Sequence, residues 1–379
     1  MTWTRIEIDL DALAHNYKVL KKRLSRPTEI MAIVKSDAYG HGMIPVARRL
    51  RSEGVKYFGV SKLWEAVELR NAGIREPILV LLGIESSEIE QALENDVLVT
   101  VYRKELAREI SEKALKHGKR ARVHVKVDTG MNRLGVPFKS SFDFLDYVGR
   151  LEGLEVVGVF SHFAVADELT EEDRSFTIRQ LERFTEVVRY AKKIDLPVSH
   201  FHMANSAGLI EIPSAHFHIV RPGIALYGGY PSGYFTNTID LKQVMSFKTK
   251  IIHLKKIPSG EFVGYGRTYV TGRETVIATI PVGYDDGYSR LLSSKSEVLV
   301  RGKRVPVVGR VSMNMITLDV SGVPNVSVGD EVVLLGRQGG EKISAEELAE
   351  QCNTINYEIF CSIGGLKPKV FISSRGTSS

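Results

Sequence analysis

A lysine stands directly after an apolar run in Ala32-Ile33-Val34-Lys35-Ser36-Asp37-Ala38-Tyr39-Gly40-His41-Gly42. Lysine is rarely buried unless it is paired or chemically committed, and a desolvated amine becomes a nucleophile and a base near neutral pH. Far along the chain, Arg221-Pro222-Gly223-Ile224 sets an arginine beside a glycine whose backbone N–H groups an anion can approach. Ala204-Asn205-Ser206 adds a hydroxyl. Together these groups suit a ligand that carries both a carbonyl and a phosphate. Taken singly they have plainer readings, Lys35 as a structural lysine and Arg221 as one half of a surface ion pair.

Only the fold can bring them together. The first 240 residues alternate short β-branched runs with charged, helix-periodic segments such as Leu63–Ala72 and Glu171–Lys193. The expected strands are Glu29–Lys35, Tyr57–Ser61, Ile78–Leu82, Val97–Val101, Arg122–Val127, Val156–Phe160, Ser199–Met203 and His218–Arg221. Such alternation implies a parallel sheet, and this many strands in that length favour a closed (β/α)8 TIM-type barrel. An open doubly wound sheet is the alternative. In a barrel the reacting residues stand at the carboxyl ends of the strands. Lys35 would end the first strand, Asn205 and Ser206 follow the seventh, and Gly223 follows the eighth, the usual phosphate site. Pyridoxal phosphate has the required carbonyl and phosphate.

After residue 240 the helical period disappears. Runs at Lys248–Leu254, Thr275–Pro281, Glu297–Val300, Val305–Val308, Met315–Val320 and Glu331–Leu335 are separated by turn signals such as Pro258-Ser259-Gly260. Residues 241–379 therefore read as a mainly-β domain with one helix at Ser344–Gln351, opened by a serine cap. Ile6–Leu10 is a further strand for either domain. The tail after Ile372 is rich in serine and is expected to fray.

At these residues the sequence resembles the alanine racemases. The Lys35 stretch is similar to their cofactor-attachment signature. Further matches, in the family's order, are Lys126-Val127-Asp128-Thr129-Gly130-Met131-Asn132-Arg133-Leu134-Gly135, Ser161-His162-Phe163, Arg221–Gly228, Gly264-Tyr265-Gly266, Pro281–Gly287 and Gly309-Arg310-Val311-Ser312-Met313. The resemblance implies a head-to-tail homodimer in which each active site joins one subunit's barrel to the other's β domain. By position it makes Lys35 the cofactor's covalent carrier and one catalytic base, and Tyr265 of the partner subunit the other. It gives the phosphate to Tyr39, Ser206, the backbone of Gly223 and Ile224, and Tyr357, with Asn205 beside them. Arg221 would face the pyridine nitrogen and keep it unprotonated, and His162 would orient Arg221. Arg133 and the Met313 backbone would bind the substrate carboxylate. Lys126 either is carbamylated, as its counterpart is in some relatives, or pairs with an acid. The entry would be lined by Tyr265, Tyr284 and Tyr357, with Asp167, Arg290 and Arg310 outside them.

Two features depart from the family pattern. Asn314 stands where an aspartate is usual, and the end reads Cys361-Ser362-Ile363-Gly364-Gly365-Leu366-Lys367-Pro368-Lys369 instead of an Arg-x-Pro-Arg-like run. The rival activities are a racemase of serine or of broader range, a barrel decarboxylase, and a non-catalytic cofactor carrier. The latter two do not need Tyr265 and Met313. A net charge of +6 with scattered basic residues implies no nucleic-acid surface, and the longest apolar runs are far short of the ~20 residues of a membrane span. The opening nine residues contain no basic head followed by an apolar stretch. With only two cysteines, Cys352 and Cys361, a cytoplasmic enzyme is expected, with no metal and a small amino acid as substrate.

Overall fold

A computed structural model of the chain describes residues 3–25, 27–168, 170–365 and 368–374. The remainder of the serine-rich tail, and Leu366 and Lys367 of the C-terminal motif, lie outside the described residues.

Eight parallel strands form the first unit: Glu29–Ile33, Tyr57–Val60, Ile78–Val80, Leu98–Val101, Ala121–Asp128, Leu154–Phe160, His200–His202 and Ile219–Val220. Each pairs with the next, and the eighth returns to the first through Ile219↔Glu29 and Val220↔Ile30, so the barrel is closed. Their burial explains the near-continuous apolar runs. Leu98–Val101 is buried at every position, as a strand with side chains in the barrel on one face and helices on the other requires. The Glu171–Lys193 helix begins where Thr170 Oγ accepts the Asp173 amide at 3.1 Å, with three acids in its first turn.

The second unit takes in the N-terminal strand that the sequence leaves open to either domain. Arg5–Asp9 leaves the barrel segment and joins the later sheet, antiparallel to Met245–Lys250 and parallel to Lys369–Ile372. The single strand expected at Lys248–Leu254 is two, Met245–Lys250 and His253–Ile257. The chain changes sheet between them: the Ile251 amide bonds Asp330 O while the Ile252 amide bonds Thr279 O.

Ala345–Cys352 is helical as expected, with Ser344 Oγ accepting the Glu347 amide at 3.1 Å. A second helix, Asn356–Gly364, was not foreseen. It lies against the turn at Lys35–Gly40 so closely that a Cβ on Gly364 would stand 2.1 Å from Gly40 O. That contact carries Tyr357 and Cys361 to the barrel mouth. Both cysteines are free. Among the described residues, no helix is long and apolar enough to cross a membrane.

Candidate active site

The chain leaves the first barrel strand in an unusual way. After Lys35, the residues Ser36, Asp37, Ala38 and Tyr39 all have φ between 52° and 55°, a turn of left-handed helix. For residues with a Cβ this costs roughly 1–2 kcal/mol each, so the surroundings must fix it. The Ser36 amide donates to Glu65 Oε1 at 2.6 Å, and the Met43 amide to Asp37 Oδ1 at 2.7 Å. Tyr227 donates its hydroxyl to Ile33 O at 2.8 Å. The outcome is that Lys35 and Tyr39, four residues apart, line one cavity of about 390 Å³ at the barrel mouth. Burial, with the guanidiniums of Arg133 and Arg221, pushes the Lys35 amine below the usual lysine range.

Across the cavity lies an anion cradle. The Gly223 amide donates to Ser206 Oγ at 3.0 Å and the Ala225 amide to the same oxygen at 3.4 Å. Asn205 caps the short helix after the seventh strand, its side chain accepting the Gly208 amide at 2.9 Å, and this fixes Ser206. Tyr39 and Tyr357 complete the wall, and burial raises both phenols above the ordinary tyrosine range, so they present neutral hydroxyls. A Cβ at Gly223 would meet Tyr39 Oη at 2.3 Å. Tyr39 cannot easily yield, because its ring is packed 5.0 Å from Tyr227 and 5.9 Å from Tyr357. Overpacking of this kind costs about 1–3 kcal/mol, so Gly223→Ala is expected to weaken binding of a phosphate-bearing cofactor roughly 10- to 100-fold. Equilibrium dialysis against the cofactor measures it. Unchanged affinity would remove Gly223 from the cradle.

Arg221, only 4% exposed, occupies the floor. Its terminal nitrogens donate to Ser161 O at 2.7 Å, Met203 O at 3.2 Å, His162 Nδ1 at 3.1 Å and His202 Nδ1 at 2.7 Å. A guanidinium only donates, so His202 must carry its proton on Nε2 and pass a hydrogen bond to His124 Nδ1, 2.8 Å away. Burial and the arginine charge keep all three histidines neutral, His124 down to about 3 and the other two well below the usual range. Burial lowers Arg221 to about 9, which still leaves a cation at neutral pH. The Phe160 ring lies 5.2 Å from the Arg221 guanidinium and 5.3 Å from Lys126 Nζ. Burial and three neighbouring cations bring Lys126 down to about 8.

Arg133 reaches the cavity from the loop after the fifth strand. Asp128 Oδ1 starts that loop by accepting the Gly130 and Asn132 amides. Buried Gln180 ties it to the next loop, donating to Thr129 Oγ at 3.3 Å and His162 O at 3.2 Å.

Eleven of the expected residues thus meet in one place: Lys35, Tyr39, Lys126, Arg133, His162, Asn205, Ser206, Arg221, Gly223, Ile224 and Tyr357. Tyr265, Tyr284, Arg290, Arg310 and Met313 are not in the lining of this cavity, and neither is Asp167. Four of these form a group of their own on the β unit. The Tyr284 amide donates to Ser312 O and the Asp285 amide to Met313 O, both at 3.1 Å, while a Cβ at Gly266 would stand 3.0 Å from the Arg310 guanidinium carbon. Tyr265 is 72% exposed and Met313 54%. Asn314 there donates to Asp285 at 3.4 Å, a pairing that an aspartate could not make.

Sequence reading missed His202, His124 and Glu65. The alternation His200-Phe201-His202 along a barrel strand was the available signal for the first. Glu65 had none beyond its place near a helix start.

Comparison with known proteins follows the same outline. Residues 8–231 match the family described as alanine racemase, N-terminal domain, and residues 244–371 match alanine racemase, C-terminal domain. A protein of Syntrophobacter fumaroxidans named alanine racemase is 52% identical over 379 residues, covering 100% of both chains. The alanine racemase of Clostridium difficile 630 superposes with a TM-score of 0.93 at 35% identity, covering 100% of this chain and 98% of that one. The alanine racemase of Bacillus anthracis with bound L-Ala-P gives 0.90 at 38% identity, covering 100% and 97%.

Proposed function

The chain belongs to the alanine racemase family, and we propose that this isomerase interconverts L- and D-alanine with two bases on opposite faces of the α-carbon, Lys35 and Tyr265 of the partner subunit. One observation carries the two-base, two-subunit reading. The cavity that gathers Lys35 does not include Tyr265, and Tyr265 stands exposed with Met313 on the β unit. A head-to-tail homodimer brings the two groups to one substrate.

The residues fit pyridoxal 5′-phosphate. There is a desolvated amine for its carbonyl, a hydroxyl-rich cradle that a single Cβ would fill, and a buried arginine fixed through its terminal nitrogens that would hold the ring. Bound there, the cofactor supplies electron withdrawal that acidifies the α-proton. Tyr39, Ser206, Tyr357 and the Gly223 and Ile224 backbone would hold the phosphate. Arg221, a cation that only donates, would face the ring nitrogen and leave it unprotonated, which would moderate the cofactor's electron withdrawal. Lys35 removes or returns the proton on the D face, and burial with the Arg133 guanidinium favours its free amine by pushing it below the usual lysine range. Tyr265 serves the L face. Arg133 and the Met313 backbone take the substrate carboxylate, and Lys126, near 8, is poised either for carbamylation or for pairing with an acid. Tyr284 and Tyr357 narrow the entry, with Asp167, Arg290 and Arg310 outside. The free thiols suit a reducing cytoplasm, and the product D-alanine would serve peptidoglycan.

Incubating the purified enzyme with L-alanine should yield D-alanine, with L-serine slower by roughly 5- to 100-fold, because a misfitting group between aromatic walls costs ~1–3 kcal/mol. Chiral chromatography of both reactions measures this. Serine turned over faster than alanine would favour the alternative, a serine or broad-range racemase on the same fold.

A further inference from the structure

Glu65 is a carboxylate with 1% of its surface exposed, in the first turn of the Leu63–Asn71 helix. Its Oε2 accepts the Ser61 amide at 2.7 Å, the Ser61 hydroxyl at 2.7 Å and the Lys62 amide at 2.9 Å. These three bonds are what a capping glutamate does for its own helix. The fourth is different. Oε1 accepts the Ser36 amide at 2.6 Å, from another strand end, at the peptide that joins Lys35 to the left-handed turn. A cap does not need that bond. The turn does, because four consecutive residues with positive φ persist only when something outside them fixes the chain.

We propose that Glu65 is a positioning residue for Lys35: it locks the peptide on which the lysine is mounted and sets one buried negative charge behind the amine. The inference rests on Lys35 being the cofactor-bearing base. The charges around Lys35 make the second role specific. Arg133 comes from the loop after the fifth strand, Arg221 from the eighth, and Lys126 from the fifth strand itself. His162 after the sixth strand, Tyr39 in the turn and Tyr357 on the C-terminal helix are uncharged partners in the cavity, and Cys361 on that helix adds a thiol that burial pushes up. Burial and the cations drive the amine towards its neutral form, and of the two groups that oppose them, Glu65 and then Cys361, Glu65 is the larger and the only carboxylate of the pair. Without it Lys35 would lose its proton at lower pH and become a weaker base. With it, the amine keeps enough basicity to take a proton from carbon.

The test uses the full-length holoenzyme with Glu65→Gln and Glu65→Asp. Borohydride reduction and peptide mass spectrometry first locate the cofactor; the visible absorption is then titrated with pH, and kcat/KM is measured in both directions. In Glu65→Gln the cofactor should still be attached at Lys35. The pH midpoint of the visible band and the acid limb of kcat/KM should both move down by about one pH unit, as expected for loss of a neighbouring opposite charge. Racemisation should fall at least about tenfold in each direction. Glu65→Asp keeps the charge but draws it back from Ser36, so its midpoint should stay at the wild-type pH while kcat/KM falls. A lower melting temperature with an unmoved midpoint in Glu65→Gln would reduce Glu65 to a helix cap and overturn the proposal. If Glu65→Gln does not fold, Glu65→Asp decides: wild-type kcat/KM in that variant would overturn the proposal equally. Reduction that labels another lysine in the wild type would instead sink the reading of Lys35 itself.

Discussion

Tyr265→Phe is expected to lower racemisation by roughly 10²- to 10⁴-fold, the range for losing a positioned acid or base, while the cofactor stays bound. The separation of the two effects follows from geometry. Tyr265 lies outside the cavity that gathers the amine, the arginine and the anion cradle of its own chain. It sits on a short turn between Gly264 at φ 74° and Gly266 at φ 69°, close to the Arg310 guanidinium. Phenylalanine preserves the ring and its packing, so the loss reports the hydroxyl. The two faces of the α-carbon should also behave differently. On the proposed two-base reading, Lys35 would still serve the D isomer in this variant. In heavy water, D-alanine should therefore continue to exchange its α-hydrogen, whereas L-alanine should exchange far more slowly and little of either should convert. Mass spectrometry of the two isomers after chiral separation measures this. Equal loss of exchange from both, or release of the cofactor, would make Tyr265 a structural residue.

The asymmetry between what could and could not be read from the residues has a physical origin. Barrel strands such as Leu98–Val101 are buried on both faces, so they write themselves as unbroken apolar runs. Candidate residues at their ends were legible for the same reason: Lys35 and Arg221 follow such runs just where the strands stop. Arg5–Asp9 was ambiguous because its partners are some 240 and 365 residues away, at Met245–Ile8 and Lys369–Ile6 pairings that local pattern cannot encode. The left-handed turn after Lys35 contains no glycine until Gly40, so its conformation is imposed by Glu65, Met43 and Gly364 rather than by its own residues. Glu65 and His202 share that character. Each looks ordinary in its own element, a helix-start acid and a strand histidine, and gains its role from a partner in another part of the chain. The helix at Asn356–Gly364 was hidden by its composition. Ile355-Asn356-Tyr357-Glu358-Ile359-Phe360-Cys361 is β-branched and aromatic enough to suit a strand, and its packing on Gly40 selects the helix.

Lys35→Ala should abolish covalent attachment of the cofactor and lower racemisation by at least about 10³-fold, since on the proposed reading one substitution removes both the carrier and the D-face base. The strongest consequence appears when this variant is mixed with Tyr265→Phe. If each active site takes its lysine from one subunit and its tyrosine from the other, a mixed dimer holds one site lacking both groups and one site lacking neither. Half of the dimers formed by random reassociation of equal amounts are mixed, and each has one intact site of two. Activity should therefore return to about a quarter of the wild-type value from two nearly inactive proteins. Differential tagging and purification of the mixed dimer should raise it to about half. The geometry makes this a demanding test, because the Lys35 cavity and the exposed Tyr265–Met313 face belong to different units of the same chain. Were Tyr265 to reach the lysine of its own subunit, every site in the mixed dimer would lack one base, and mixing would restore nothing.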